Sequence, residues 1–574
     1  MADLVLGPAV RYVSDTEANV WLEADGPCEA AILDHRASTF CVNGHHYALV
    51  EIHGLEPGRS HPYDVRLDGE RVWPPPDDQF PPCAIRTLPA AGPLRVAFGS
   101  CRVSVPHEEP YTLRKDEDSR GREIDALFAL VARMRRQPDE EWPHVMLLLG
   151  DQVYADEVSP ATLDFVRSRR DVGRPPGEEV ADYEEYTRLY SESWLDPAMR
   201  WFLSTAPTSM IWDDHDVHDD WNTSLSWLEA MRAKPWWETR IAGAIATYWI
   251  YQHLGNLSPR ELAQDELWQR VRDSDDAGDL LREFALQADR ETEGTRWSFF
   301  RDLGRTRLVM MDSRAGRVLT PERRSMVDDD EWRWIVEHSL GDFDHLLLGT
   351  SLPVFLSRSM HHMEAWNEAV CEGAWGARAA RLGERLRQGL DFEHWAAFGA
   401  SFRDLCGLIQ AAAVGGDGSA PASIVALSGD VHHAYLAEIG FPPGSGARSA
   451  VYQAVCSPVR NPLEAREKRA IRAAMSRPAG IVARTLARAA GVDDPPLGWR
   501  MCGGPWFDNQ IATLEIDGRS MVMRLERALP GEEGQQPERE LETVLERPAG
   551  LTVRATAGSR RAPSPNPPAP LGHR

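Results

Sequence analysis

The chain has 574 residues, of which 43% are apolar, and carries 88 acidic against 63 basic side chains, a formal net charge of -25. That length calls for more than one domain, and the apolar share suits a globular protein with a large core. So acidic a surface disfavours nucleic acid and anionic membranes as general partners, and no run of about 18 apolar residues is present to span a bilayer.

The opening MADLVLGPAVRYVSD has no basic n-region, no apolar h-region and no twin-arginine pair, so the expected location is the cytoplasm. Residues 1–90 read as short strands broken by turn residues. Ala18–Glu23 and Ala30–Asp34 partly alternate, and Tyr63–Leu67 runs into Asp68-Gly69. This pattern predicts a small N-terminal β-sandwich of the fibronectin III-like kind. Pro74-Pro75-Pro76 and Pro81-Pro82 then read as a stiff linker.

After Pro93 the pattern changes. Apolar runs of strand length, at 95–99, 145–150, 209–212, 308–311, 345–349 and 424–427, alternate with amphipathic stretches such as Glu123–Arg136. Continuous apolar strands joined by helices imply an α/β domain with sheets covered on both faces. Ile511–Ile516, Asp517-Gly518 and Ser520–Leu525 predict a hairpin. The segments at about 223–295, 360–420 and 464–490 read as helical insertions in a domain spanning 91–550. The third is basic, with Arg466, Lys468, Arg469, Arg472, Arg477, Arg484 and Arg488, and is either an anion-facing helix or an exposed face paired with local acids. The Pro-rich tail, 551–574, is expected to be disordered. Eight cysteines without a CxxC pair predict reduced thiols.

Four segments share one form: an apolar strand, then a loop of metal-ligand side chains. They are VAFGSCR with Cys101 and Arg102, MLLLGDQVYAD with Asp151 and Tyr154, MIWDDHDVHDDW with Asp213 to Asp216 and His218, and VALSGDVHHAY with Asp430, His432 and His433. A carboxylate directly after a buried strand is costly to desolvate, by several kcal/mol, unless a cation or another partner holds it. Each loop alone reads more simply as a turn with a cap. Four together predict a metal site at the carboxyl ends of the strands.

The order GSC, GDxxY, DDHD and SGDVHHA resembles the alkaline phosphatase D (PhoD-like) family of calcineurin-like metallophosphoesterases, over about residues 94–460. Leu346–Phe355 and Met311-Asp312-Ser313-Arg314 agree with it. The resemblance implies two β-sheets flanked by helices after an N-terminal β-sandwich, and hydrolysis of phosphate esters. It also implies a ferric iron bound by thiolate and phenolate, with calcium or another divalent ion beside it. Thiolate, phenolate and imidazole suit a transition metal, whereas carboxylates alone suit calcium. The expected first site is Cys101, Asp151, Tyr154 and His432, and the second is Asp151, Asp214 and Asp430.

His215 is the candidate proton donor to the leaving oxygen or to the phosphate. Arg102 and Arg314 read either as phosphate-binding residues or as surface salt-bridge partners. His361, His362 and Glu364 read as helix surface more readily than as pocket lining. His218 and His433 are taken as supporting or surface residues, and Asp216 as the residue that orients His215. The substrate class is a small or polymeric phosphate ester, including the diester of a lipid or polymer. The competing reading is a metal-binding sensor of phosphate esters without turnover. Oligomeric state is not legible in the sequence.

Overall fold

The structure is a computed structural model and describes residues 2–89, 92–415, 419–531, 534–545 and 552–554, with side chains described as far as residue 529. Two seven-stranded sheets form its body. In spatial order the first contains Thr208–Ile211, Val145–Leu149, Leu94–Gly99, Gln510–Asp517, Ser520–Gly531, Gly534–Leu545 and Thr552–Arg554. Its first three strands are parallel, and the rest pair antiparallel, including the expected hairpin.

The second sheet contains Phe299–Leu303, Thr306–Met310, His345–Gly349, Ser423–Ser428, Ala450–Val455, Ala434–Gly440 and Gly498–Trp506. The four strands from Thr306–Met310 to Ala450–Val455 run parallel. Every residue of Val145–Leu149, His345–Gly349 and Ser423–Ser428 is buried. That is why these strands read as unbroken apolar runs rather than alternating ones.

Helices pack on these sheets. Ala126–Met134 begins where Asp125, in extended backbone, accepts hydrogen bonds from the Leu127 and Phe128 amides. It buries Leu127, Leu130, Val131 and Met134, one face at helical spacing, and packs against Gln510–Asp517, Ser520–Gly531 and Gly534–Leu545. Seven helical elements lie between Leu225 and Arg290. Among them Trp237–Thr247 runs straight into a π-helical stretch, Tyr248–His253, every residue of which is buried. The second and third insertions hold Arg358–Cys371, Ala377–Gly389 and Gly399–Val414, then Ala465–Ala474 and Arg477–Ala489. Of the tail expected to be disordered, Thr552–Arg554 pairs with Gly534–Leu545; the remainder lies outside the described residues.

The N-terminal strands form two four-stranded sheets, one ordered Leu4–Val13, Glu17–Ala24, His45–His53, Phe40–Val42 and the other His35–Ser38, Glu29–Ile32, Val65–Leu67, Glu70–Trp73. Val20, Leu22, Val50, Ile52, Val65 and Leu67 fill a core of their own. The alternate residues Trp21, Tyr47 and Leu49 point the other way and join the main core. Both faces of that sheet are therefore buried, which explains why its strands alternate only partly in sequence. Arg11, 1% exposed, donates to Thr208 O at 3.2 Å and Gln252 O at 2.7 Å across this seam. Tyr47 Oη lies 2.8 Å from Tyr183 Oη.

A candidate metal centre at the strand ends

The parallel strands deliver their loops to one end of the body. There Cys101, Asp151, Asp430 and His432 take φ values of 57°, 52°, 65° and 50°. Left-handed backbone is uncommon for residues with a side chain and costs on the order of 1–3 kcal/mol at each position. The turns need it to bring the donors back over the strand ends. Gly150 before Asp151 has φ +112°, and a Cβ there would stand 2.6 Å from Asp213 Cβ. Only glycine lets these two loops approach so closely.

The donors converge. Ligand atoms of Cys101, Asp151 and His432 lie within 4.8 Å of one another, and the same holds for Asp151, Asp214 and His215 and for Asp213, Asp214 and Asp430. The trios interlock, Asp151 belonging to two and Asp214 to two. Tyr154 Oη is 3.3 Å from Asp151 Oδ2. All six residues expected from the sequence as ligands are thus in one place, together with Asp213, which that expectation left out.

A surrounding layer fixes them. Asp216 Oδ2 accepts from the Asp151 and Asp213 amides at 3.0 and 2.9 Å. Its Oδ1 accepts from Gln252 Nε2 at 3.1 Å, so the π-helical stretch reaches the site. His215 Nδ1 sits 3.0 Å from both Asp156 oxygens, and its side chain keeps 23% of its surface exposed. Asp156, rather than the expected Asp216, therefore orients His215. On the far side His394 bridges Glu364 Oε1 at 2.7 Å and Asp430 Oδ2 at 3.1 Å.

Arg314 has no exposed surface. Its guanidinium pairs with Asp213 and Glu393 and lies 3.2 Å from Asp214 Oδ1. Arg102 Nε is likewise occupied, at 2.8 Å from Asp125 Oδ2. Both were weighed as phosphate-binding or surface-paired residues; the structure places them in buried ion pairs. His361, His362 and Glu364 were read as helix surface. They are instead 4%, 3% and 1% exposed, because Arg477–Ala489 packs over their helix, the His361 ring lies 4.7 Å from Phe402 and 4.8 Å from Trp499, and Glu364 meets His394. His433 is buried, with its ring 5.7 Å from that of Phe507, and His218 Nε2 lies 3.7 Å from Glu179 Oε2.

Sequence reasoning missed Asp156, Glu393 and His394. Asp156 is two residues beyond Tyr154 in a loop already singled out. The Glu393-His394 pair, set directly before the buried Trp395-Ala396-Ala397 turn, carried a weaker signal: two charged groups beside apolar residues need partners.

The electrostatics suit cations. Burial pushes the Asp151 carboxyl well above the usual range, with His215 opposing and Asp213 and Asp214 adding to the rise. Burial also lifts Asp213 well above it and Asp214 to about 6, each opposed mainly by Arg314. Burial, Asp151 and Asp430 raise the Cys101 thiol, and burial and Asp151 raise the Tyr154 phenol. Burial lowers His432 to about 4, leaving a neutral imidazole able to ligate. Asp151 Oδ1 and Asp213 Oδ2 are buried without a hydrogen-bond partner among the described residues. Orphaned carboxylate oxygens of this kind call for a counter-ion. Thiolate, phenolate and imidazole on one side and carboxylates on the other fit two cations of different hardness. A bound cation reverses the local preference for protons.

Residues 122–365 match the family model of PhoD-like phosphatases, and residues 1–85 match a domain of unknown function, DUF7800. The first match contains Asp151, Tyr154, Asp214, His215 and Arg314; Cys101, Asp430 and His432 lie outside it. No curated protein matches the sequence. Among solved structures, one described as "Structure of PhoD" aligns with 97% of this chain and 93% of its own at 12% identity and a TM-score of 0.58. That likeness shows a shared fold across nearly the whole chain. An amylomaltase from Corynebacterium glutamicum aligns with 60% of this chain and 55% of its own at 13% identity, but at a TM-score of 0.10, too low to carry a structural argument. No helix among the described residues is long and apolar enough to cross a membrane. With the family match, the shared fold and the converging strand-end motifs together, the chain carries a PhoD-like phosphatase domain over residues 122–365, which supports phosphoester hydrolysis in general.

Proposed function

We propose that this enzyme hydrolyses phosphate esters at the strand-end cluster in a metal-dependent reaction. Cys101, Asp151, Tyr154 and His432 would hold a ferric iron, and Asp151, Asp214 and Asp430 a calcium or other divalent ion, with Asp213 close enough to join the second set. Bound there, the cations supply Lewis acidity, lowering the pKa of an attacking water and offsetting charge on the phosphoryl oxygens. The observation that carries the reading is the interlocking of the trios through Asp151 and Asp214, because paired cations a few Å apart need shared ligands.

The chain's own residues do the rest. With Nδ1 turned to Asp156, the outer edge of His215 is Nε2, which has the exposed Asp219 carboxylate 3.9 Å away. Burial lowers the His215 pKa, but Asp156 and Asp214 outweigh it and leave it well above the ordinary histidine value. A protonated Nε2 can then pass its proton to the leaving oxygen. Arg314 is assigned to positioning, since it holds Asp213, Asp214 and Glu393 rather than facing solvent.

The test is turnover of p-nitrophenyl phosphate and of its bis-ester by the purified protein, with iron and calcium content measured on the same sample. His215→Ala should keep its metals and lose about 10²–10⁴ in kcat, the usual worth of a positioned acid. Full activity in that variant removes His215 from the chemistry. A metal-loaded parent that releases no phosphate would favour the sensor reading.

A further inference from the structure

Beside the strand-end cluster lies a second cavity, of about 670 Å³, between the loop carrying Lys115 and Glu123, the helix Ala465–Ala474, and residues 505–508. Its walls include Lys115, Lys468 and Arg472 together with Trp506 and Phe507. Among the described residues none of these three cations has a carboxylate in ion-pair contact. Arg466, also at the cavity, is spent on Glu464 at 2.9 Å. Arg114, Asp116, Glu123 and Asp508 line the same space. Burial raises the Glu123 carboxyl, with Lys468 opposing, so Glu123 carries its full charge less readily than an exposed acid would.

The cavity adjoins the reaction centre. The ring of Phe507 lies 5.7 Å from that of His433, the residue after His432 of the thiol-bearing trio. The Arg472 guanidinium stands 4.7 Å from the other partner of this stack, Phe507. Lys115 is near enough for its charge to act on His432 on one side and on Glu464 and Glu467 of the basic helix on the other. In a chain of net charge -25, a cavity next to the chemistry lined by five basic and four acidic side chains runs against the average. Such a local reversal of sign concentrates anions. The helix Ala465–Ala474 buries none of its own residues, so core packing does not explain its basic side chains.

We infer that this cavity is a substrate subsite for a second phosphate group, carried by the molecule whose first phosphate is hydrolysed at the strand-end cluster. The inference rests on the phosphoesterase reading above. Lys468 and Arg472 would pair with the second phosphate, Lys115 would stand between the two anions, and Phe507 would set their spacing. The preferred substrates are then bisphosphorylated small molecules rather than simple monoesters.

The experiment compares kcat/KM for adenosine 3′,5′-bisphosphate and adenosine 5′-monophosphate, which share a base and sugar and differ by one phosphate. The parent should favour the bisphosphate at least tenfold, and rising salt should erode that ratio. Lys468→Glu and Arg472→Glu should each lower the ratio at least tenfold. Arg174→Glu, which changes the net charge equally at an 86% exposed side chain paired only with Asp171, should leave it unchanged. Equal use of both nucleotides by an active parent overturns the subsite alone, as does a ratio unmoved by either reversal or moved as much by the Arg174 control. A parent that hydrolyses neither nucleotide nor p-nitrophenyl phosphate with metals bound overturns the phosphoesterase reading and the subsite with it.

Discussion

His394→Ala tests how far the second cation site depends on a residue that touches no substrate. His394 is 5% exposed and joins Glu364, itself 1% exposed, to Asp430. Asp430 has other restraints: its amide donates to Ser100 Oγ at 3.1 Å, its carbonyl accepts from Ser457 Oγ at 3.4 Å, and Arg314 Nη2 stands 3.8 Å from its Oδ1. Among the described residues only His394 makes a direct hydrogen bond to the carboxylate. A hydrogen bond to a charged group is worth about 1.5–3 kcal/mol, so losing it should weaken cation binding at the second site, Asp151, Asp214 and Asp430, by roughly 10- to 100-fold, the range typical of residues that orient ligands. Glu364→Gln keeps an acceptor for Nδ1 and should lose less than His394→Ala. The Cys101, Asp151 and His432 trio is not in contact with His394, so its metal should remain. The assay is p-nitrophenyl phosphate turnover against free calcium, with elemental analysis after dialysis. A His394→Ala enzyme with the parent's calcium dependence refutes the argument, and so does one that loses both metals together.

Three further outcomes follow from the geometry. Asp151→Asn should empty both sites, because Asp151 belongs to two trios; elemental analysis finding either metal at full content would contradict this. Gly150→Ala should disable the centre even though it adds one methyl, since that carbon meets Asp213 Cβ at 2.6 Å in left-handed backbone, and wild-type kcat would disprove it. The third concerns pH. His45 lies between Glu23 at 2.8 Å and Glu184 at 2.9 Å, and the Glu23 hydrogen bond, against burial and with Glu184, raises it to about 9. A folded-state pKa above the unfolded one stabilises fully below about 6.5 and loses that stabilisation as pH rises through about 9. With Glu184 45% exposed, screening leaves about 1–2 kcal/mol. His45→Gln should therefore lower the melting temperature at pH 6 and match the parent at pH 10; an equal loss at both would remove charge from the account.

Much of this was legible in the sequence, for a physical reason. Val145–Leu149 and Ser423–Ser428 are buried on both faces, so their apolar runs stand out, and acids directly after such runs have few purposes besides caps and cations. The residues that hold those acids were not legible. His394 meets Asp430 across 36 positions and Glu364 across 30, and Arg314 meets Glu393 across 79. Those contacts depend on how a helical insertion folds back, which leaves no periodic trace. Arg102 and Arg314 show the same limit from the other side, since a guanidinium beside a strand end can face a substrate or a buried carboxylate, and residue type does not say which. His361 and His362 looked like surface because the helix that covers them lies more than 100 residues away in the chain.

Several unfavourable features fall in the same four loops: left-handed backbone at Cys101, Asp151, Asp430 and His432, carboxylate oxygens without partners, and carboxyls pressed toward protonation by burial. Each costs on the order of 1–3 kcal/mol, a large share of the 5–15 kcal/mol that holds an ordinary domain together. The loops also come from different sheets. Cys101, Asp151 and Asp213 to His215 follow strands of the first sheet, and Asp430 and His432 follow a strand of the second. Two of the three donor trios, Cys101–Asp151–His432 and Asp213–Asp214–Asp430, therefore cross between sheets. Hydrogen bonds already tie this seam, from the Val459 amide to Ser100 O at 2.8 Å and from the Arg460 amide to Cys101 O at 3.1 Å. A cation in either crossing trio would add a further tie where four left-handed residues and the unpartnered carboxylates meet. Metal binding and the docking of one sheet on the other then become linked equilibria, so chelation should loosen the seam between the sheets before it disturbs the N-terminal sandwich, whose core is separate.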